Sequence, residues 1–144
     1  MKVRKPAVIA EAGLALIPGP EEIPEPYFST EVHDLVEYDC DEVARVFDGV
    51  AKPMGTREGD PDTWRWRWQS GEHFVEIGFS LLGEGRAWGG SNLELHVPAT
   101  LLLQLWNRVR RELPAVWLHD SSCRMYRPES FVTEFSVGGR RERR

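Results

Sequence analysis

The sequence predicts an α+β fold: a mainly antiparallel sheet of about four to six strands with two helices packed on one face. Three observations carry this. Thr63 to Gln69 alternates strictly between apolar and polar residues, the period of a half-buried strand. Ser70-Gly71 then offers a tight turn, and His73 to Ser80 returns with Val75, Ile77 and Phe79 on a common face, which makes a hairpin. Leu102, Leu105, Trp106, Val109 and Leu113 recur along one stripe of residues 99–113, the spacing of an amphipathic helix.

Taken in chain order, residues 7–17 are apolar apart from Glu11 and form a candidate strand. Five prolines and glycines at 18–20, 24 and 26 forbid helix and predict an extended linker over residues 18–30. Val32 to Tyr38 is a candidate strand. Asp39 looks like a helix N-cap, with Glu42 in the capping-box position and Val43, Val46, Phe47 and Val50 on one stripe; Gly49 and Pro53 end that helix. Residues 53–62 read as a turn-rich loop and residues 82–91 as a flexible glycine-rich hairpin loop. Asn92 to Val97 is a strand with Leu93, Leu95 and Val97 inward and Glu94 and His96 outward. Pro114 stops the second helix, and Ala115 to His119 gives another short strand. Residues 123–137 read equally as strand or as a helix starting near Pro128. The expected organisation is an N-terminal arm and linker (1–30), one domain (31–137) and a disordered arginine-rich tail (138–144).

With 144 residues, 41% hydrophobic and 28% charged, the composition is globular and excludes wholesale disorder. No segment approaches the roughly 18 consecutive apolar residues of a membrane span. Two cysteines, Cys40 and Cys123, do not make a disulfide framework. Glu11 and a poor cleavage site at Ile17-Pro18-Gly19-Pro20 argue against a secretory leader, so the expected location is cytoplasmic.

The net charge of −5 hides an asymmetry: residues 1–62 carry 14 acidic and 6 basic side chains, whereas residues 63–139 carry 8 of each. Nine acids and no Lys or Arg fall between Glu21 and Glu42. Such a run repels phosphates and disfavours nucleic acid, and it suits either a solvated face or a basic partner.

Motifs for chemistry are weak. The glycines of residues 82–91 miss the dinucleotide spacing and precede a strand, so no helix N-terminus awaits a phosphate. His73 and Glu76 fall on opposite strand faces; Glu94 and His96 share one, but a metal site would need His119 or Asp120 to converge on them. Ser121, Ser122 and Cys123 beside His119 and Asp120 are adjacent along the chain, which is not how a triad forms. No catalytic residue, metal or other cofactor is implied. Trp64, Trp66 and Trp68 are expected under the helices, leaving Arg65 and Arg67 on the open face and Trp88 partly exposed.

The function these features favour is a small acidic binding protein, not an enzyme, that occludes a basic protein partner, with neither nucleic acid nor membrane involved. The candidate contact residues are Asp34, Glu37, Asp39, Asp41, Arg65, Arg67, Trp88, Glu94 and His96. In size, acidity and lack of catalytic motifs the chain resembles the immunity proteins that neutralise bacterial toxins, a likeness of character that no signature residue carries. It implies an inhibitor, either mimicking a phosphate backbone toward a nuclease-like toxin or plugging an active site. Two alternatives stand beside it. One is a small-molecule or enzymatic domain with a pocket between sheet and helices, holding His96 and His119. The other is a self-assembling subunit whose proline-rich arm wraps a neighbour.

Overall fold

The long hairpins at the middle of the chain build the sheet, and shorter pieces from both ends extend it. The computed structural model describes residues 8–10, 13–19, 21–22, 27–29, 38–83 and 86–136. Among the described residues ten strands and three helices run in the order β1 (Val8–Ala10), β2 (Ala15–Pro18), β3 (Tyr27–Ser29), β4 (Tyr38–Asp39), α1 (Cys40–Asp48), β5 (Lys52–Arg57), β6 (Asp60–Ser70), β7 (His73–Gly83), β8 (Arg86–Pro98), α2 (Ala99–Glu112), β9 (Val116–His119), β10 (Arg124–Tyr126) and α3 (Pro128–Ser136). The α+β class with a mostly antiparallel sheet is as predicted. The counts are higher than the four to six strands and two helices expected.

Each extra element has a local cause. The predicted loop at 53–62 is β5 and the start of β6, because Gly55 and Gly59 adopt φ of 74° and 86°; these glycines allow the shifted register and the turn that keep the two strands paired. The predicted loop at 82–91 is mostly strand: pairing continues through Leu81↔Ala87 and Gly83↔Arg86. Residues 123–137 satisfy both readings in succession, as β10 and then α3, with Pro128 in the first helical turn where its missing N–H costs nothing. The single strand expected at 7–17 is two short ones, β1 and β2. Segment 18–30, expected to be extended linker, contains β3, which pairs with β10. Of the strand expected at 32–38 only Tyr38 lies within the described residues, as does none of the 138–144 tail.

The sheet order is β3-β10-β9-β2-β8-β7-β6-β5, and every pairing is antiparallel. Strand β8 is its spine. One edge of β8 carries β7, and the other carries β1, β2 and β4 in succession along its 13 residues. The β6–β7 turn uses Gly71 at φ 60°, the first central position where a type II′ hairpin demands glycine.

The helices cover one face. Asp39 caps α1 as predicted: its Oδ2 accepts from the backbone N–H groups of Asp41 (3.1 Å) and Glu42 (3.3 Å). Val43, Val46 and Phe47 point into the sheet. Trp66 is their counterpart, 1% exposed, stacked on Phe79 at 5.0 Å and edge-on to Phe47 at 5.3 Å, with its indole N–H donating to Asp48 Oδ1 at 2.7 Å. Helix α2 buries Leu102, Leu105, Trp106 and Val109, and the Trp106 N–H donates to the Val116 carbonyl at 3.0 Å. Helix α3 seats Phe131 and Phe135 against Tyr126.

The three tryptophans of β6 share a face but not an environment. Trp66 is buried and Trp68 half-buried, while Trp64 is 40% exposed, stacked on Trp66 at 6.2 Å. Trp66→Ala is therefore expected to cost about 3–5 kcal/mol in urea unfolding, by loss of transfer energy and an unfilled cavity. Trp64→Ala should cost only about 1 kcal/mol, the scale of one aromatic contact. Equal costs would show that α1 does not sit over Trp66.

Candidate functional site

The alternation that sends Trp66, Val75, Ile77, Phe79, Leu93, Leu95 and Val97 under the helices sends the residues between them to the opposite, outer face. Register then aligns those residues in rows across β6, β7 and β8: Arg65, Gly78 and Asn92; Arg67, Glu76 and Glu94; Gln69, Phe74 and His96.

The rows interlock. Glu76 accepts from Arg67 Nη1 at 3.1 Å and lies 3.7 Å from Arg65 Nη1, so two guanidinium groups share one carboxylate. These groups are well covered for an open face, 12% exposed for the Glu76 side chain and 17% for Arg65. The Arg65 stem passes over Gly78, where a Cβ would sit 3.4 Å from Arg65 Cγ, an ordinary contact. Glu94 directly opposes Glu76, a like-charge pairing that the two arginines offset. Arg67 is held three ways. Its Nε donates to Gln69 Oε1 at 3.0 Å, its Nη1 to Glu76, and its guanidinium lies 4.2 Å above the Phe74 ring. Beside this row, the His96 and His73 rings stack at 6.1 Å, and His73 Nδ1 lies 3.3 Å from the His96 carbonyl oxygen.

A cavity of about 640 Å³ opens here, lined by Gly13, Arg67, Phe74, Leu93, Glu94, Leu95 and His96. It lies against the spine strand near the break between β1 and β2, where Gly13 has φ 64°. A smaller cleft of about 230 Å³ lies between the helices, among Arg45, Gly49, Arg108, Arg111 and Glu112. Arg108 Nη2 donates there to the Gly49 carbonyl at 2.9 Å, and the exposed Arg45–Glu112 pair at 3.4 Å adds little.

Of the residues nominated from sequence, Arg67, Glu94 and His96 meet in one cavity, and Arg65 braces it through Glu76. Asp39 and Asp41 are elsewhere. Asp39 pairs with Arg86 and His96 with Ala10, so the two groups lie ten residues apart along β8, roughly 30 Å. Asp39 is moreover committed to capping α1, while Asp41 is exposed in the first turn. Asp34, Glu37 and the Trp88 side chain lie outside the described residues. Sequence reading missed Phe74 and Gly13. The signal for Phe74 was present: it is the aromatic left on the polar face once Val75, Ile77 and Phe79 are turned inward.

The two-histidine pocket is corrected. The cavity is on the outer face rather than between sheet and helices, and His119 does not reach it. His119 pairs with Ala15, which pairs with Asn92, four residues along β8 from His96; strand spacing makes that roughly 16 Å. Its neighbour Asp120 is a turn organiser, 1% exposed, accepting from Ser122 N (2.8 Å), Arg124 N (3.2 Å) and the Tyr126 hydroxyl (2.6 Å). Cys123 takes φ 66° in that turn. Burial raises the Cys40 thiol above its usual value, helped by Asp41 and Asp39, so it is a poor nucleophile. Among the described residues no three His, Cys, Asp or Glu side chains are grouped to hold a metal ion.

Burial lowers the His119 imidazole below its ordinary value, with the Asp120 charge partly opposing, and its Nδ1 has no partner among the described residues. The unfolded chain takes up this proton near pH 6.5 and the native chain only at lower pH, so the native state loses stability as pH falls below about 6.5. Urea unfolding between about pH 7 and pH 5 should therefore show a smaller acid-side loss in His119→Gln than in the parent chain. Parallel pH profiles for the two proteins would contradict the burial of a neutral His119.

No protein-family model matches the chain, and no curated protein or solved structure shows significant similarity to it.

Proposed function

We propose that the chain is a binding protein that occludes a protein partner, and that the outer face of β6, β7 and β8 is where it docks. The observation that carries this reading is the convergence of Arg67, Glu94 and His96 on one cavity, with the Arg67 side chain already held in place. Ordering long side chains at an interface costs free energy on binding, and a face ordered beforehand avoids that cost. Arg is also among the residue types on which binding energy concentrates. Exposed Asp41, in the acidic stretch, supplies a second contact for a basic partner, too far from the cavity for one small ligand to touch both. An inhibitor of a basic toxin or enzyme, acting by coverage rather than by catalysis, is the form of this reading that the charge distribution favours.

A second reading is a small-molecule site in the same cavity, whose volume falls within the roughly 300–1,000 Å³ of ligand pockets.

The test is capture from the native host's lysate at low and at high salt, with three baits. The parent chain should retain one basic protein in stoichiometric amount, weakened at high salt. Replacing Arg67 and His96 together by Ala should weaken capture about thirtyfold or more, the scale of a hot spot, while Trp64→Ala on the helix face should leave it unchanged. Capture indifferent to the Arg67/His96 change, or lost equally with Trp64→Ala, would overturn the assignment of the outer face.

A further inference from the structure

The outer-face cavity has the chemistry of a receptor for a ligand with two opposite charges, and its anionic half is the better defined. Arg67 reaches it with its Nε and Nη1 engaged by Gln69 and Glu76, and with no hydrogen bond from Nη2 to any described residue. A guanidinium so fixed presents its remaining N–H groups in a plane, the geometry that a carboxylate accepts. Phe74 beneath it, at 4.2 Å, removes the freedom that binding would otherwise have to freeze. Arg65 shares Glu76, so the carboxylate that holds Arg67 is itself held from a second side.

Glu94 defines the other half. It is exposed, makes no ion pair with a described residue, and stands across Glu76 from Arg67, two strand spacings or about 10 Å away backbone to backbone, with the Arg67 guanidinium reaching part of that way over Phe74. Between the two charges Phe74 is the apolar side chain on this face; Leu93 and Leu95 border the cavity from β8, with their side chains turned to the helices. An α-amino acid, whose amine and carboxyl carbon are about 2.5 Å apart, is short for two residues placed two strands apart. A carboxylate and an ammonium joined by a chain of several methylenes can bridge residues placed two strands apart and passes beside Phe74.

We propose that this cavity binds such a zwitterion, with the carboxylate on Arg67 and the ammonium on Glu94. The inference rests on the outer face being the binding face. The same chemistry occurs in a free ω-amino acid and in the C-terminal lysine of a polypeptide, with its own carboxylate and its side-chain ammonium.

Calorimetric titration of the full chain tests it with ε-aminocaproate, glycine, hexanoate and hexylamine. An acetylated peptide ending in lysine, free or amidated at its C-terminus, extends the test. ε-Aminocaproate should bind about tenfold or more tightly than each of the three controls, since each lacks one charged contact or the spacing between them. Arg67→Gln should reduce its binding to the level of hexylamine, and Glu94→Gln, on an exposed side chain that does not threaten folding, to that of hexanoate. Tighter binding of the free-ended peptide than of ε-aminocaproate identifies a protein terminus as the source; the reverse order identifies a free metabolite. Absence of binding to ε-aminocaproate and to the free-ended peptide, or binding that Glu94→Gln leaves unchanged, overturns the proposal. If partner capture still depends on Arg67 in that event, the protein-binding reading survives it; if that dependence is also absent, both fall.

Discussion

The shared register of β6, β7 and β8 is the constraint on which both faces of the molecule depend. Pairing Trp66 with Ile77 and Leu93 places an unbroken apolar surface under α1 and α2, and the same pairing lines up Arg67, Glu76 and Glu94 behind it. A slip of one residue would exchange the two sets, burying charge and exposing tryptophan. Stability and recognition are therefore not separable along these strands. The aromatic packing of Phe47, Trp66 and Phe79 selects the register, and the register assembles the charged cluster.

The rest of the sheet protects that arrangement. Strand β8 is long enough to hold β7 along one edge and three short strands along the other, so its backbone groups have partners on both sides. Around β2 and β9 both faces are buried, which suits the apolar run Val116-Trp117-Leu118. Strand β5 lies at the end of the sheet order, where unpaired backbone groups invite other strands. Lys52, Pro53 and two register shifts blunt it.

What could be read beforehand was local. The Asp39 cap, the α2 stripe and the alternation of β6 each depend on residues within a few positions of one another, and each is present in the structure. Strands β1, β2 and β3 pair with segments some 75 to 100 residues away, information that no local period contains. The 53–62 segment has the prolines and glycines of a loop and forms strands because β6 supplies pairing partners for it. The candidate site divides the same way. Alternation put Arg65, Arg67, Glu94 and His96 on one face, but the cavity needed Phe74 and Gly13, whose contribution appears only when the strands are aligned. Asp39 shows the converse: a residue nominated for its charge is occupied by its backbone role.

The central claim is that Arg67 is fixed over Phe74 before any partner arrives. Nitrogen-15 NMR of the arginine side chains in the free protein tests it directly. The account predicts that the Arg67 Nε–H is slow to exchange and ring-current shifted, and that Phe74→Leu abolishes the shift. An Arg67 signal with free-arginine shift and rapid exchange would contradict it, and would leave the outer face an ordinary solvated surface.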